Sequence, residues 1–219
     1  MYSTGKGHIS LITMDEKGNY NQPEIVLDKP YHLSYPFVFE HEDDYYMIPE
    51  SGANKTIDLY RCIEFPDKWE FQMNLMENVR AVDATVFYHN GKWWMFANLI
   101  ENDGASLWDE LFLFYSDDLF NTDWQPHPLN PIVSDCKFAR PAGKIFVENG
   151  RIYRPSQNCS TRYGYGFNLH EITSLDENHY AEDLVTRVEP NWDKHIIGTH
   201  TFNRVNSLHI IDAIYKRRK

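Results

Sequence analysis

The sequence lacks a basic field, a cysteine framework and any long apolar run, and each absence removes a class of function. Its 219 residues carry 21 Lys and Arg against 32 Asp and Glu, a formal charge of −11. That balance argues against a nucleic-acid or anionic-membrane partner, because phosphate binding needs a positive field. The terminal run Lys216-Arg217-Arg218-Lys219 is basic but reads as a short exposed tail. Cys62, Cys136 and Cys159 form neither a disulfide framework nor a Cys-x-x-Cys metal site. No apolar stretch approaches the roughly 20 residues that span a bilayer. The segment Met1-Tyr2-Ser3-Thr4-Gly5 lacks the charged and apolar regions of a signal peptide, so the chain is read as soluble and cytoplasmic. The 10 histidines fall at no HxxxH or HExxH spacing, and no GxGxxG, P-loop or GxSxG motif occurs. Neither a metal nor a cofactor is therefore expected.

Aromatic residues and turn signals are abundant instead. Aromatics make up 15% of the chain, a content that suits stacked sheets and sugar-binding faces alike. The stretch Ala81–Asn98 places two alternating apolar runs around His89-Asn90-Gly91-Lys92, and Asn-Gly between such runs predicts a tight β-hairpin. The pattern recurs. Phe39 is followed by Tyr45-Tyr46, Phe87 by Trp93-Trp94 and Phe146 by Ile152-Tyr153, each across a polar turn; a weaker copy runs from Thr199 through Phe202 to Asp212. The Phe anchors recur at intervals of 48, 59 and 56 residues. A repeat of that size opening on a hairpin predicts an all-β β-propeller whose blades are four-stranded antiparallel sheets. The reading is a single domain over residues 1–219. The lone strands His8–Ile12 and Glu24–Leu27 would complete the blade begun by the C-terminal hairpin, giving four blades, or belong to a fifth blade that lacks its inner strands. Ala105–Leu111 is the one segment expected to hold a short helical turn.

The hairpin geometry brings the residue four before each Phe beside the residue eleven after it. The first set holds Tyr35 and Asp83, with Arg140 taking the position in the third repeat if Pro141 and Gly143 form a bulge. The second set holds Glu50, Asn98 and Gln157. In the last repeat His200 and Asp212 reach the same edge. Polar residues thus gather at one end of apolar hairpins, which fits a ligand face and also a satisfied polar rim around a propeller channel. Glu50, Asp83 and Asp212 are its carboxylates, and glycoside hydrolysis needs a carboxyl pair, one protonated and one ionised. Arg140, Arg154 and His200 would then bind substrate or hold a carboxylate ionised, with Tyr35, Asn98 and Gln157 as further substrate contacts. Trp93 and Trp94 point to opposite faces of their strand and are expected to pack.

Several ordered segments carry a resemblance: His32–Phe39, Met47–Ser51, Ala81–Thr85, Arg140–Gly143, Tyr153–Ser160, Arg162–Tyr165, Gly198–Asn203 and Ile211-Asp212. Together they resemble the N-terminal domain of plant glucosamine inositolphosphorylceramide transferases and its bacterial stand-alone relatives. The resemblance implies a five-bladed propeller related to the furanosidase-type glycoside hydrolases, in which three carboxylates on successive blades act as base, pKa modulator and acid. On that likeness Asp83 matches the modulator and Glu50 takes the acid position. The relatives carry an Asp-Pro-Phe-type inner strand ahead of the segment matching Gly7–Leu11, and sugar transfer in the plant proteins is attributed to a separate C-terminal domain. Two readings follow: a carbohydrate-active, glycoside hydrolase-like propeller acting on a polar saccharide, and a non-catalytic glycan or nucleotide-sugar module serving a partner transferase.

Overall fold

The computed structural model describes residues 5–102 and 104–216. Met1–Thr4 and Arg217–Lys219, which include most of the basic tail, lie outside the described residues. The chain forms two compact units, Met1–Val82 and Asp83–Lys219.

In the first unit β1 (Ile9–Leu11) and β2 (Glu24–Leu27) pair as a two-stranded antiparallel sheet. The strands β3 (Ser34–His41), β4 (Asp44–Glu50), β5 (Thr56–Glu64) and β6 (Lys68–Glu77) follow in spatial order as a four-stranded sheet. The β3–β4 turn places Glu42 and Asp43 at φ 49° and 66°, the left-handed pair that a two-residue hairpin turn requires. Phe39 lies directly opposite Tyr46 with ring centroids 5.8 Å apart, so the sequence repeat of aromatic pairs is a cross-strand pair in space. Ile9, Leu27, Leu33, Met47 and Tyr60 form the core of this unit.

The second unit opens with β7 (Ala81–His89), whose first two residues fall in the unit before. With β8 (Lys92–Leu99), β9 (Glu110–Ser116) and β10 (Gln125–Pro126) it forms an antiparallel sheet, and β11 (Val133–Ser134) also pairs with β9. The next sheet takes β12 (Phe146–Glu148), β13 (Arg151–Asn158), β14 (Gly166–Leu175) and β15 (Tyr180–Val188) in order. Asn90-Gly91 and Asn149-Gly150 both turn with positive φ, as the Asn-Gly signal predicted. β16 (Ile196–Gly198) pairs with β19 (Ile214–Tyr215), and β17 (Phe202–Val205) pairs with β18 (Leu208–Ile211) as a two-stranded hairpin. Trp94, Phe96, Leu111, Leu113, Ala139, Ile145, Ile172 and Leu175 form the core. Trp93 and Trp94 are both buried, and Trp94 Nε1 donates to His89 O at 3.1 Å. Both indoles pack.

One local expectation fails. Ala105–Asp109 is a bend leading into β9, with no helical turn; among the described residues the one helical segment is a 3-10 turn at Gly52–Asn54. Leu111 and Phe112, the i+4 partners of Leu107 and Trp108, are taken into β9, and Ser106 Oγ accepts Trp108 N–H at 3.0 Å in a local turn instead.

Candidate functional site

Asp83 stands at φ 54° inside β7, and Tyr35, at the equivalent position of β3, stands at φ 43°. A residue with a Cβ pays about 1–2 kcal/mol for that conformation. The repeat places the same strained step ahead of two of its Phe anchors. In β3 the step coincides with a register shift between Ser34 and Phe37.

The bulge expected at Pro141–Gly143 is present. Arg140 O accepts Gln157 N–H at 2.7 Å and Pro155 O accepts Ala142 N–H at 3.2 Å, so this stretch pairs irregularly with β13 ahead of β12. Gly143 (φ 148°) is pressed against the next hairpin: a Cβ there would lie 1.9 Å from Phe202 O. Only glycine fits.

This bulge delivers Arg140 to Asp83. Arg140 Nε donates to Asp83 Oδ2 at 2.5 Å and Gln157 Nε2 donates to the same oxygen at 3.1 Å, while Gln157 Nε2 also reaches Pro141 O at 2.9 Å. The two charged side chains are 6% and 3% exposed. The Arg140 guanidinium lies over the Tyr163 ring at 4.9 Å, a cation–π contact that also supports the ring. Tyr163 is 42% exposed and Trp108 is 39% exposed, their centroids 5.9 Å apart and their planes 33° from one another. Gly164, at φ 69°, makes the turn that presents Tyr163.

Beyond Tyr163 stands His200, its ring 5.4 Å away at 70°. Asp212 Oδ2 meets His200 Nδ1 at 2.5 Å, and Asp212 Oδ1 accepts the backbone N–H of His200 at 2.7 Å and of Thr201 at 2.8 Å. Partial burial would raise the Asp212 pKa, but these donors outweigh it and hold the carboxyl well below the usual range.

The second unit therefore brings together Asp83, Arg140 and Gln157, and joins them through Tyr163 to His200 and Asp212. Asn98, next to last in β8, is wholly buried; its Nδ2 donates to Leu107 O at 3.3 Å, beside Trp108, and its Oδ1 has no partner among the described residues. Arg154 lies elsewhere in the same unit. It is wholly buried, donating to both Glu182 oxygens at 2.7 and 2.6 Å and to Phe138 O at 2.8 Å. Tyr35 and Glu50 belong to the first unit, where Glu50 is half-buried and pairs in register with Ser34. Burial pushes the Cys159 thiol up, away from a reactive thiolate. Tyr163 and Trp108 are the site residues that sequence reasoning passed over; Tyr163 entered it only within the Arg162–Tyr165 segment of the family resemblance.

Behind Arg154 the network continues to His170, whose Nδ1 is 3.4 Å from Glu182 Oε1 and whose Nε2 is 3.0 Å from Ser156 Oγ. Burial, reinforced by the Arg154 charge, pushes the His170 pKa from 6.5 down to about 4. The unfolded chain then binds a proton here that the folded chain refuses between those two values. Stability should fall as pH drops from about 6.5 to 4, by about 3 kcal/mol at 1.36 kcal/mol per pH unit. Urea midpoints at pH 7, 5.5 and 4 would read this, and His170→Gln should flatten the slope in that window.

The arrangement of sheets has solved counterparts. A thermostable family-43 glycoside hydrolase aligns with a TM-score of 0.60 at 14% identity, covering 99% of this chain and 68% of its own. The Bombyx mori GH32 β-fructofuranosidase gives 0.58 at 12%, covering 93% and 47%. An exo-β-1,3-galactanase from Phanerochaete chrysosporium, solved with galactose, gives 0.58 at 12%, covering 95% and 48%. The fold is thus the β-propeller fold of these glycoside hydrolases. Residues 2–214 match the family model for the N-terminal part of glucosamine inositolphosphorylceramide transferase 1, and the chain belongs to that family. The enzymes of that name from Oryza sativa subsp. japonica and Arabidopsis thaliana are 35% and 33% identical over 183 and 182 residues, 82% of this chain. The chain spans about a quarter of the length of these relatives, 24% of each. Among the described residues no helix is long and apolar enough to cross a membrane.

Proposed function

We propose that the face built on Asp83, Arg140, Gln157, Tyr163, His200 and Asp212 binds a polar saccharide, as a recognition module for a glycosyl-transfer partner. The observation that carries this reading is the exposed Tyr163–Trp108 pair braced from below by the buried Arg140–Asp83 ion pair. Aromatic surface beside a few fixed polar groups is the make-up of small-molecule sites. The carboxylates favour binding over hydrolysis. Asp83 accepts from Arg140 and Gln157, and Asp212 from His200 and Thr201, so each is committed as an acceptor, whereas a glycosidase needs one carboxyl poised as an acid. The family relatives are named for glucosamine and inositolphosphorylceramide, which selects D-glucosamine and myo-inositol as first probes, with D-galactose from the solved galactanase.

A hydrolytic reading, with Glu50, Asp83 and Asp212 as its carboxylates, draws on the left-handed backbone of Asp83, since strain of this kind gathers at active sites. Calorimetric titration with the three probes, and mass spectrometry of oligosaccharide mixtures for products, separates the two. Saturable binding without product is the expected outcome. Tyr163→Ala should weaken binding about tenfold, the ~1–1.5 kcal/mol of one stacked ring, with little change in thermal midpoint. Unchanged affinity in that variant would remove Tyr163 from the site.

A further inference from the structure

Asp212 holds His200 in one tautomer and one orientation. Its Oδ1 accepts three hydrogen bonds, from His200 N–H at 2.7 Å, Thr201 N–H at 2.8 Å and the Thr201 hydroxyl at 3.0 Å. Its Oδ2 faces His200 Nδ1 at 2.5 Å. An ionised carboxylate can only accept, so Nδ1 carries a hydrogen and the neutral ring presents its lone pair at Nε2. A histidine in water prefers the opposite arrangement and rotates freely. Here Nε2 has no hydrogen-bond partner among the described residues, and the side chain is 24% exposed. The ring sits against Tyr163, and a Cβ on Gly164 would come within 3.5 Å of it. Gly164 thus packs at the root of the imidazole, on the side away from Nε2.

We propose that His200 Nε2 is the proton-accepting contact for a hydroxyl of the bound saccharide, with Asp212 and Thr201 as its positioning residues. This rests on the saccharide reading of the face and adds the group that decides which sugar hydroxyl must donate there. The contact works only while the ring is neutral. Once protonated, Nε2 becomes a donor and the hydroxyl must turn its hydrogen away. The ionisable groups facing the ring are Asp212 and Tyr163, with Arg140 beyond Tyr163. The donors around Asp212 hold its carboxyl well below the usual range, so it stays an acceptor for the ring.

The tautomer is read without any ligand. In long-range 1H–15N spectra of the histidine rings at pH 8, His200 should show hydrogen on Nδ1 and none on Nε2, and Asp212→Asn should abolish that pattern. Hydrogen on Nε2 in the wild type would overturn the proposal. Titration with myo-inositol and D-galactose, neutral polyols that do not themselves titrate, should give binding at least fivefold weaker at pH 5.5 than at pH 8. In His200→Gln the pH dependence should vanish and affinity at pH 8 should fall. Binding indifferent to both pH and His200→Gln would refute this inference and leave the saccharide reading standing; no binding by any sugar at either pH would sink both.

Discussion

Replacing Arg154 with alanine is expected to lower stability by about 3–5 kcal/mol, the range for breaking a buried ion pair by removing one partner. Arg154 is among the largest side chains lying wholly inside the protein, and its guanidinium is bidentate to Glu182, which is 9% exposed. Without Arg154 the Glu182 carboxylate keeps Tyr180 and His170 among the described residues, and the carbonyl of Phe138 loses a donor. The cost comes from the stranded charge rather than from the lost attraction, so the double change Arg154→Leu with Glu182→Leu should recover most of it. The pair Arg151–Glu171, 63% and 25% exposed, is the internal control: Arg151→Ala should cost no more than about 1 kcal/mol. Guanidinium unfolding of the wild type and these three variants reads the differences. A loss below about 1 kcal/mol for Arg154→Ala would mean that water reaches Glu182.

Arg140→Ala should cost a similar amount, about 3–5 kcal/mol, because it leaves Asp83 with Gln157 as its one remaining side-chain donor among those described here. It should also abolish sugar binding by removing the support under Tyr163. The two effects separate in the double variant Arg140→Met with Asp83→Leu. Folding should return to within about 1–2 kcal/mol of the wild type, since an apolar pair of similar volume replaces the buried ions. Binding should stay lost. Restored stability with unaltered sugar affinity would reduce the cluster to a structural rim.

Most of the architecture was readable from local chemistry. Asn90-Gly91 and Asn149-Gly150 allow few backbones other than a hairpin turn, and the apolar alternation on either side fixes which strands they join. Pro141 and Gly143 signalled the bulge that makes Arg140 the partner of Asp83. Arg154 was grouped with the same face, although strand alternation separates it from Gln157: the two are three residues apart and point to opposite sides of β13. Its partner Glu182 lies 28 residues further on, on a strand whose pairing register no local pattern encodes. Tyr163 was hidden for another reason. Its importance comes from what it covers and how far it stands out, both set by the turn at Gly164, whose direction no local pattern encodes. The nearness of His200 to Asp212 followed from the hairpin, but the Thr201 contacts that pin the carboxylate did not.

The β17–β18 hairpin will govern how the purified protein behaves at high concentration. Two sheets in the second unit run four strands deep, whereas β18 pairs with β17 alone among the described residues. Leu208, Ile210 and Ile211 are 49%, 53% and 44% exposed, beside Val205 at 69%. A rim of unpaired amides and carbonyls with no lysine or acid along β18 is a template for intermolecular strand addition. The net charge of −11 opposes that contact at low ionic strength, and salt removes the opposition within a Debye length of about 10 Å at 0.1 M. Colloidal stability in this protein is therefore a matter of buffer: dilute salt keeps the edges apart, and Ile210→Lys would oppose strand addition by the cost of desolvating its ammonium in the joined edge.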